Sequence, residues 1–263
     1  MANLKRRHHF LPECYQRAFA NSCGQVWVKA ADKPPKLRNP STVGTRRSLY
    51  IKRQNGVEDD RIEDLFSKEV ETPFAALSQR IRNESDKFSN ITGEELGVLV
   101  RFVACQVVRT LAHKHCIEEQ AGRPIDTDTF VRIMGRKIST LMNAWSKNPP
   151  KCRFYTPLPY VGEHFITGDN PVLAIQVNDN PVWLPTDTPK LGIIDLEEIL
   201  ANPEHGFLLS LSPYICVSFQ GQGGWDPDLP PRTVEPGYVS FFNGLVRSQS
   251  RFFTLAREKQ SLG

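Results

Sequence analysis

The sequence predicts an α+β fold, and two distributions along its 263 residues lead to that prediction. Proline is unevenly spread: 14 of the 20 prolines lie from Pro149 onward, and only Pro73 and Pro124 lie between residues 41 and 148. Because proline is destabilising inside helices, long helices can form in that middle part. Apolar residues recur there at helical spacing, whereas the tail has short apolar runs between turn residues, as strands do.

We therefore predict a single domain over residues 1–263, a length that can bury a sizeable core. A helical middle, about 58–148, packs on a sheet formed mainly by the C-terminal segment, 149–263. A basic N-terminal segment, 1–57, adds a small β element. Charged residues at 24% and aromatic residues at 10% are ordinary for a globular protein and argue against disorder.

The N-terminal elements follow from local signals. Pro12 at a first helical position predicts a short helix that ends near Ala20. The alternating run QVWVKA (25–30) is typical of a strand, and SLYIKR (48–53) favours another short strand.

Three helices are predicted in the middle, over about 59–82, 92–120 and 126–146. Pro73 should kink or split the first of them. Thr92 followed by Glu95 forms a capping box at the start of the second.

The tail is predicted to consist mainly of strands and loops. Residues 221–231 form a long loop, 238–248 a helix, and 251–256 a last strand or helix end. The short apolar runs that predict the other strands are 152–156, 164–167, 171–176, 191–194, 207–210 and 214–219.

The charge is concentrated at the N-terminus. Residues 1–53 hold twelve Lys and Arg against two acidic residues, a net charge of +10, although the whole chain has a formal net charge of only +4. Such a segment can bind nucleic acid by contacting phosphates. The alternative is a solvated surface that pairs with the acidic remainder of the chain.

The cysteines and the hydropathy predict a cytoplasmic protein. The six cysteines form no CxxC pair and no zinc-ribbon spacing, which indicates free thiols in a reducing compartment. The basic start of the chain has no apolar stretch behind it, so we expect no secretory signal. No segment is apolar enough to predict a membrane span, and the oligomeric state is left open.

The common catalytic signatures GxGxxG, P-loop, HExxH and GxSxG do not occur. Two weaker patterns lie in the N-terminal half. His8 and His9 can bind a metal or act as a general base near neutral pH, or they can be a surface or core pair. Glu71 lies on a helix face with Asp60 and Asp64, and clustered carboxylates suit Mg²⁺ or Mn²⁺; the alternative is a solvated helix face.

A polar stripe, formed by Gln106, Arg109 and His113, lies on an otherwise apolar helix. A buried arginine needs an anionic partner, which is Glu71, Asp169 or a substrate phosphate. An internal salt bridge explains the stripe as well as a binding site does.

Asp169 and Asn170 end the short apolar strand in HFITGDNPV (164–172). An acid at a strand end is a frequent catalytic or metal-binding position. The alternative is a turn in which one of the two side chains caps the bend.

In their order, five motifs resemble an uncharacterised bacterial group, domain-of-unknown-function family 4238, over nearly the whole chain: HHFLPECYQRAFA (8–20), ETPFA (71–75), QVVRT (106–110), FITGDNPV (165–172) and LSP (211–213). The resemblance implies no activity. It implies that seven side chains of types that can take part in catalysis or binding occur together in these motifs: His8, His9, Glu71, Gln106, Arg109, Asp169 and Asn170. Gly168 stands where that family usually has Ser, while Asn243 and Arg251 match polar positions near its end.

These patterns favour a metal-dependent nuclease or phosphoesterase that acts on nucleic acid, and a toxin or phage-defence effector is one setting for it. Glu71, Asp169 and His9 would hold a divalent metal, Mg²⁺ or Mn²⁺. The catalytic set would be His8, His9, Gln106, Arg109, Asp169 and Asn170, with an imidazole as general base and Arg109 on the phosphate.

Two other functions fit the same residues. One is a non-catalytic module that binds an anionic ligand or a protein. The other is a purely structural polar core in which Arg109 is ion-paired to Glu71 or Asp169.

Overall fold

The computed structural model describes residues 7–54, 57–59, 61–83, 91–159, 162–176, 205–220 and 231–263. Helices and several sheets are mixed in it, so the predicted α+β class is confirmed. The predicted strand at 191–194 and nearly all of the predicted loop at 221–231 lie outside the described residues.

The N-terminal segment begins with an antiparallel two-stranded ribbon, in which β1 (Arg7–His9) pairs with β4 (Thr45–Arg47). Gly44, just before β4, has a φ of +62°, and a Cβ there would lie 2.6 Å from the Leu11 Cβ. This position therefore requires glycine for both conformation and space. Between the two strands the segment forms α1 (Glu13–Gln16), a 3₁₀ turn (Arg17–Phe19), β2 (Val26–Ala30), β3 (Lys36–Arg38) and a second 3₁₀ turn (Pro40–Thr42).

A short hairpin of β5 (Lys52–Gln54) and β6 (Val57–Asp59) leads into the first helical run. This run is α2 (Arg61–Leu65), a π-helical segment (Phe66–Glu71) and α3 (Thr72–Asn83).

The predicted break at Pro73 takes the form of this π-helical segment. Proline has no N–H to donate to the carbonyl of Glu69, four residues earlier. The Arg101 guanidinium donates to that carbonyl instead, at 3.4 Å. The wider π turn ends at Glu71 and so determines where the Glu71 side chain points.

The second predicted helix is two helices, α4 (Gly93–Arg109) and α5 (Leu111–Ala121), which are bent by 46°. The capping box of Thr92 and Glu95 is confirmed. Thr110 is extended, and its hydroxyl accepts the N–H of His113 and so caps α5. The prediction of one continuous helix was wrong because apolar periodicity continues through this internal cap.

The third predicted helix is confirmed as α6 (Thr127–Lys147), capped by Asp126. Among the described residues, no single helix has the length and apolar character of a membrane span. The bent pair of α4 and α5 has that length and apolar character when the two helices are taken together.

The C-terminal segment forms most of the larger sheet, whose strand order is β12-β7-β11-β10-β9. A second sheet has the order β3-β2-β13-β8 and joins the first and last parts of the chain. The elements of this segment are β7 (Lys151–Pro157), β8 (Thr167–Gly168), β9 (Val172–Gln176), β10 (His205–Ser212), β11 (Ile215–Gln220), β12 (Arg232–Val234), α7 (Pro236–Gln249), β13 (Phe253–Ala256) and a 3₁₀ turn (Lys259–Leu262).

Both faces of the larger sheet are covered. Along β10, Phe207 and Leu209 belong to the core cluster that holds α3, α4 and α6, whereas Leu208 belongs to the cluster under α7. Tyr15 ties α1 to both sheets, because its buried hydroxyl lies 2.7 Å from the Thr167 Oγ1 and 2.7 Å from the Ser210 carbonyl.

Candidate functional site

The site is built around Arg109, the last residue of α4, whose side chain is fully buried. Its Nη1 donates to the Glu71 Oε1 at 2.8 Å, and its Nη2 donates to the His9 carbonyl oxygen. Of the anionic partners predicted for Arg109, the structure selects Glu71. One guanidinium therefore joins the end of α4, the π-helical segment and strand β1.

Two aromatic residues that the sequence reasoning missed complete the surroundings of Arg109. The guanidinium carbon lies 4.4 Å from the centroid of the Phe66 ring, within cation–π distance. The Tyr50 hydroxyl donates to the Arg109 carbonyl oxygen at 2.8 Å. In the sequence, both residues look like ordinary core aromatics, so no local signal could have found them.

Arg109 stays charged in this environment. Burial alone lowers the pKa of its guanidinium, but Tyr50, Glu71 and Glu63 outweigh burial and raise the pKa above its ordinary value. Glu63, which lies beside the predicted carboxylate face of Asp60, Asp64 and Glu71, is itself only 8% exposed. Asp60 lies outside the described residues.

His8 and His9 have different environments because neighbouring residues of a strand point to opposite faces. His8 is fully buried, and its Nδ1 accepts the backbone N–H of Tyr50 at 2.9 Å. Its ring stacks on the Tyr50 ring, with centroids 5.5 Å apart. These contacts give His8 a packing role, with its Nδ1 unprotonated.

His9 is half-buried and lies within the electrostatic field of Glu71 and Arg109. Burial is the largest influence and lowers the pKa of the imidazole; Glu13 and Glu71 raise it, and Arg109 lowers it. The net shift is downward, so His9 is neutral at neutral pH. Its Nε2 is enclosed and has no hydrogen-bond partner among the described residues.

Gln106 lies one turn before Arg109 on α4 and is fully buried. Neither its Oε1 nor its Nε2 has a hydrogen-bond partner in the described part of the chain, and the same is true of the Arg109 Nε. An unsatisfied buried polar group costs about 1–3 kcal/mol. His113 does not continue the predicted stripe, because the bend at Thr110 separates it from α4.

Asp169 follows β8 and is fully buried. Its Oδ1 accepts the backbone N–H groups of Phe252 and Phe253, each at 3.2 Å, and its Oδ2 accepts that of Arg251 at 3.3 Å. Burial raises the pKa of the carboxyl to about 6, although these three hydrogen bonds oppose the shift. The neighbouring Asn170 is also buried.

The turn at 251–253 also explains Gly168. A Cβ on Gly168 would lie 1.9 Å from the Ser250 Oγ and 3.1 Å from the Phe253 carbonyl oxygen. The two polar positions near the end of the chain also have structural partners. Asn243 bonds through its amide to the backbone of residues 164 and 166, and Arg251 forms an ion pair with Glu119 at 2.5 Å.

The predicted site residues therefore fall into two groups. His9, Glu71 and Arg109 lie together, whereas Asp169 contacts the backbone at 251–253. Within the described ranges, no group of three or more His, Cys, Asp or Glu side chains is arranged to hold a metal ion, and this includes the predicted ligand set of His9, Glu71 and Asp169.

Comparisons with known proteins give one match. A family model described as "Protein of unknown function (DUF4238)" matches residues 7–148, which is more than half of the chain. The matched range contains both histidines, Glu71, Gln106 and Arg109, whereas Asp169 lies beyond it. No curated protein and no solved structure matches the chain.

Proposed function

We propose that this chain, which belongs to the family of proteins of unknown function DUF4238, is a phosphodiester-cleaving enzyme, a nuclease or phosphoesterase. The observation that carries the proposal is the arrangement of His9. A neutral, half-buried imidazole with an unpartnered Nε2 lies in the field of a carboxylate, Glu71, which a buried arginine holds in place. This is the arrangement of a general base.

In the proposed reaction, the Nε2 of His9 takes a proton from a water molecule as the water oxygen bonds to phosphorus. The bond from phosphorus to the leaving oxygen breaks, and the proton then passes from His9 to that oxygen. The Glu71 carboxylate stabilises the imidazolium that exists between these two transfers.

Arg109 acts as a positioning residue in this proposal. Its Nη1 and Nη2 donate inside the protein and its side chain is fully buried, so it fixes the strand that carries His9 relative to Glu71. Gln106 supplies an amide whose donor and acceptor are both unused among the described residues. Because Gln106 is as fully buried as Arg109, we assign it a positioning role beside Arg109 as well.

The proposal includes a divalent metal ion, and the assay tests whether hydrolysis requires it. His9 and Glu71 are two of the three predicted ligands, and an oxygen and a nitrogen ligand suit Mn²⁺ better than Mg²⁺. Such an ion would lower the pKa of a bound water and so assist the same proton transfer.

The test is hydrolysis of bis(p-nitrophenyl) phosphate and of a labelled oligonucleotide, each with Mg²⁺, with Mn²⁺ and with EDTA. His9→Gln should lower kcat by about 10²–10⁴-fold, the usual contribution of a general base. His115→Gln is the matched control, because His115 is an exposed histidine on α5 that contacts neither Glu71 nor Arg109. Absence of turnover by the parent chain, or equal rates for His9→Gln and the parent, would refute the proposal.

Glu71→Gln tests the role of the carboxylate. The amide oxygen can still accept from Arg109, but the negative charge that raises the pKa of His9 is gone. The acid limb of kcat/KM should therefore move to lower pH, a shift that a merely structural Glu71 would not produce. Asp169→Asn should leave kcat within about threefold of the parent and the pH profile unchanged, because the Asp169 carboxylate accepts hydrogen bonds from the turn at 251–253 and not from the His9 and Glu71 group.

The amide of Gln106, which has no hydrogen-bond partner among the described residues, favours a second function, a non-catalytic module that binds an anionic ligand or a protein. Such a module would bind saturably, with no turnover in any of the three metal conditions. It would also lose binding on Gln106→Leu, because the unpartnered amide is then the recognition group.

A further inference from the structure

We infer that the β1–β4 ribbon is a nucleic-acid interface in which Arg7 and Arg47 bind the phosphodiester backbone. The inference deepens the proposed function, since it rests on that function for the cleavage of the bound strand, but the binding itself stands on the ribbon alone. The basic segment predicted from the sequence thereby becomes two named side chains on one face of the ribbon.

The register of the ribbon brings these arginines together. Arg7 lies directly opposite Arg47, and Arg46 lies opposite His8. All three arginines are exposed, whereas His8 is buried. Opposed residues in an antiparallel pair have Cβ atoms about 4.5–5.5 Å apart, so Arg7 and Arg47 can reach one phosphate from two strands.

Placing two arginines opposite each other is unfavourable unless something neutralises them. Like charges directly opposed across strands are destabilising. In the described part of the chain, none of the three arginines has a carboxylate within ion-pair distance. An anion from outside the chain would relieve this repulsion, and a phosphate fits it because arginine binds phosphate through two parallel N–H groups.

The same face of the ribbon carries the proposed base. Successive residues alternate between faces, so Arg7, Arg47 and His9 share one face, and the two arginines lie two positions along the strands from His9. Two residues of strand span about 6.7 Å. A strand whose phosphate is held by Arg7 and Arg47 would therefore bring a neighbouring phosphodiester to His9.

The carboxylates beside His9 do not cancel this positive charge. Glu13 is paired with Arg17 at 2.5 Å, and Glu71 is paired with Arg109 at 2.8 Å. Each acid close to His9 thus has its own arginine, and the charges of Arg7 and Arg47 remain in excess.

The experiment measures binding of a fluorescently labelled 20-nucleotide DNA strand, in a His9→Gln background so that the probe is not cleaved. RNA of the same sequence and the DNA duplex are the other two arms, and each titration is repeated over a series of salt concentrations. The double variant Arg7→Gln/Arg47→Gln is compared with Arg132→Gln/Arg136→Gln, which removes two equally exposed arginines from α6.

The ribbon variant should weaken binding by about tenfold or more. It should also reduce the slope of log K against log salt by about 0.7–0.9, because the two arginines share one phosphate contact. The α6 variant should keep the parent affinity and slope. The ribbon variant should also keep or raise the Tm, because it removes a like-charge pair. The arm that shows the largest loss identifies the form of nucleic acid that the ribbon binds.

Equal affinity and slope for the ribbon variant and the parent, in all three arms, would overturn the inference. So would an equal loss in the α6 variant, because the effect would then come from total charge. If the parent hydrolyses no phosphodiester but the ribbon variant loses strand binding, the proposed enzyme fails and the interface stands. If bis(p-nitrophenyl) phosphate is still cleaved and no strand binds, the interface fails and the enzyme stands.

Discussion

Two carboxylates, the partly buried Glu71 and the fully buried Asp169, each precede a proline by two residues, and their environments differ. Glu71 faces a buried opposite charge, the Arg109 guanidinium, at 2.8 Å. Asp169 has no cation in hydrogen-bond contact among the described residues and accepts three backbone N–H groups instead. The first carboxylate lies beside a neutral histidine and unused polar atoms, and the second lies inside a turn.

The difference shows what a counter-charge contributes that neutral donors do not. Three N–H dipoles satisfy the hydrogen bonds of Asp169, yet burial still raises the pKa of the carboxyl to about 6. Arg109 is equally buried, but the nearby Tyr50, Glu71 and Glu63 raise its pKa, so its charge persists. The Arg109 charge therefore persists and acts on His9 at any physiological pH. Asp169, in contrast, is suited to stabilising a turn.

The largest expected effect comes from removing the counter-charge. Arg109→Ala should lower the free energy of unfolding by about 3–5 kcal/mol, because it leaves Glu71 without its partner and opens a cavity next to Phe66. Urea unfolding, followed by circular dichroism, measures the change.

Arg101→Ala is the matched control on the same helix. Arg101 is exposed, and among the described residues its guanidinium donates to the Glu69 carbonyl oxygen alone, at 3.4 Å, so the loss should stay below about 1 kcal/mol. If Arg109→Ala were as stable as Arg101→Ala, the salt bridge would contribute nothing and the contrast between the two carboxylates would disappear.

The second effect is a pH dependence that belongs to Asp169. Its pKa is about 6 in the folded chain and 3.8 as the ordinary value, so between these pH values the folded chain holds a proton that the unfolded chain has lost. The stabilisation is complete below about pH 4 and is lost as the pH rises through 6, a change of the order of 2–3 kcal/mol.

Other groups titrate in this range, and the lowered pKa of His9 acts in the opposite direction. The measurement is therefore the difference between the parent and Asp169→Asn across pH 4–8. The amide oxygen still accepts from Phe252 and Phe253, but the side chain no longer titrates. A pH-independent difference between the two proteins would show that Asp169 keeps an ordinary pKa.

Much of the fold could be predicted because its signals are local. The capping box at Thr92, the periodicity of α6 and the apolar runs of β7, β10 and β11 each need only a few neighbouring residues. Two features could not be predicted from local signals. The helix divides at Thr110 because its hydroxyl caps α5, and the π-helical segment is accompanied by a hydrogen bond from Arg101 to the Glu69 carbonyl oxygen in place of the expected backbone bond.

The site was predicted in part for the same reason. A buried arginine demands an acid, and this requirement identified Glu71 as one of two internal candidates for Arg109. The partner of Asp169 could not be found, because the groups it binds are backbone N–H groups 82–84 residues away, and any residue type supplies a backbone N–H. The pairing of Arg7 with Arg47 likewise depends on a strand register that only the folded chain defines.

The smallest expected effect tests the packing that holds Asp169 on its turn. Gly168→Ser should lower the free energy of unfolding by about 1–3 kcal/mol, since the new Cβ would meet Ser250 and the Phe253 carbonyl oxygen.

Ser250→Gly alone should cost less, and combined with Gly168→Ser it should restore part of the loss, because the 1.9 Å contact is then gone. Additive losses in this double-mutant cycle, measured by thermal unfolding, would mean that the two positions do not touch. Hydrolysis in the proposed assay should be unchanged in all three variants, because the turn contacts Asp169, whereas the proposed chemistry uses His9 and Glu71.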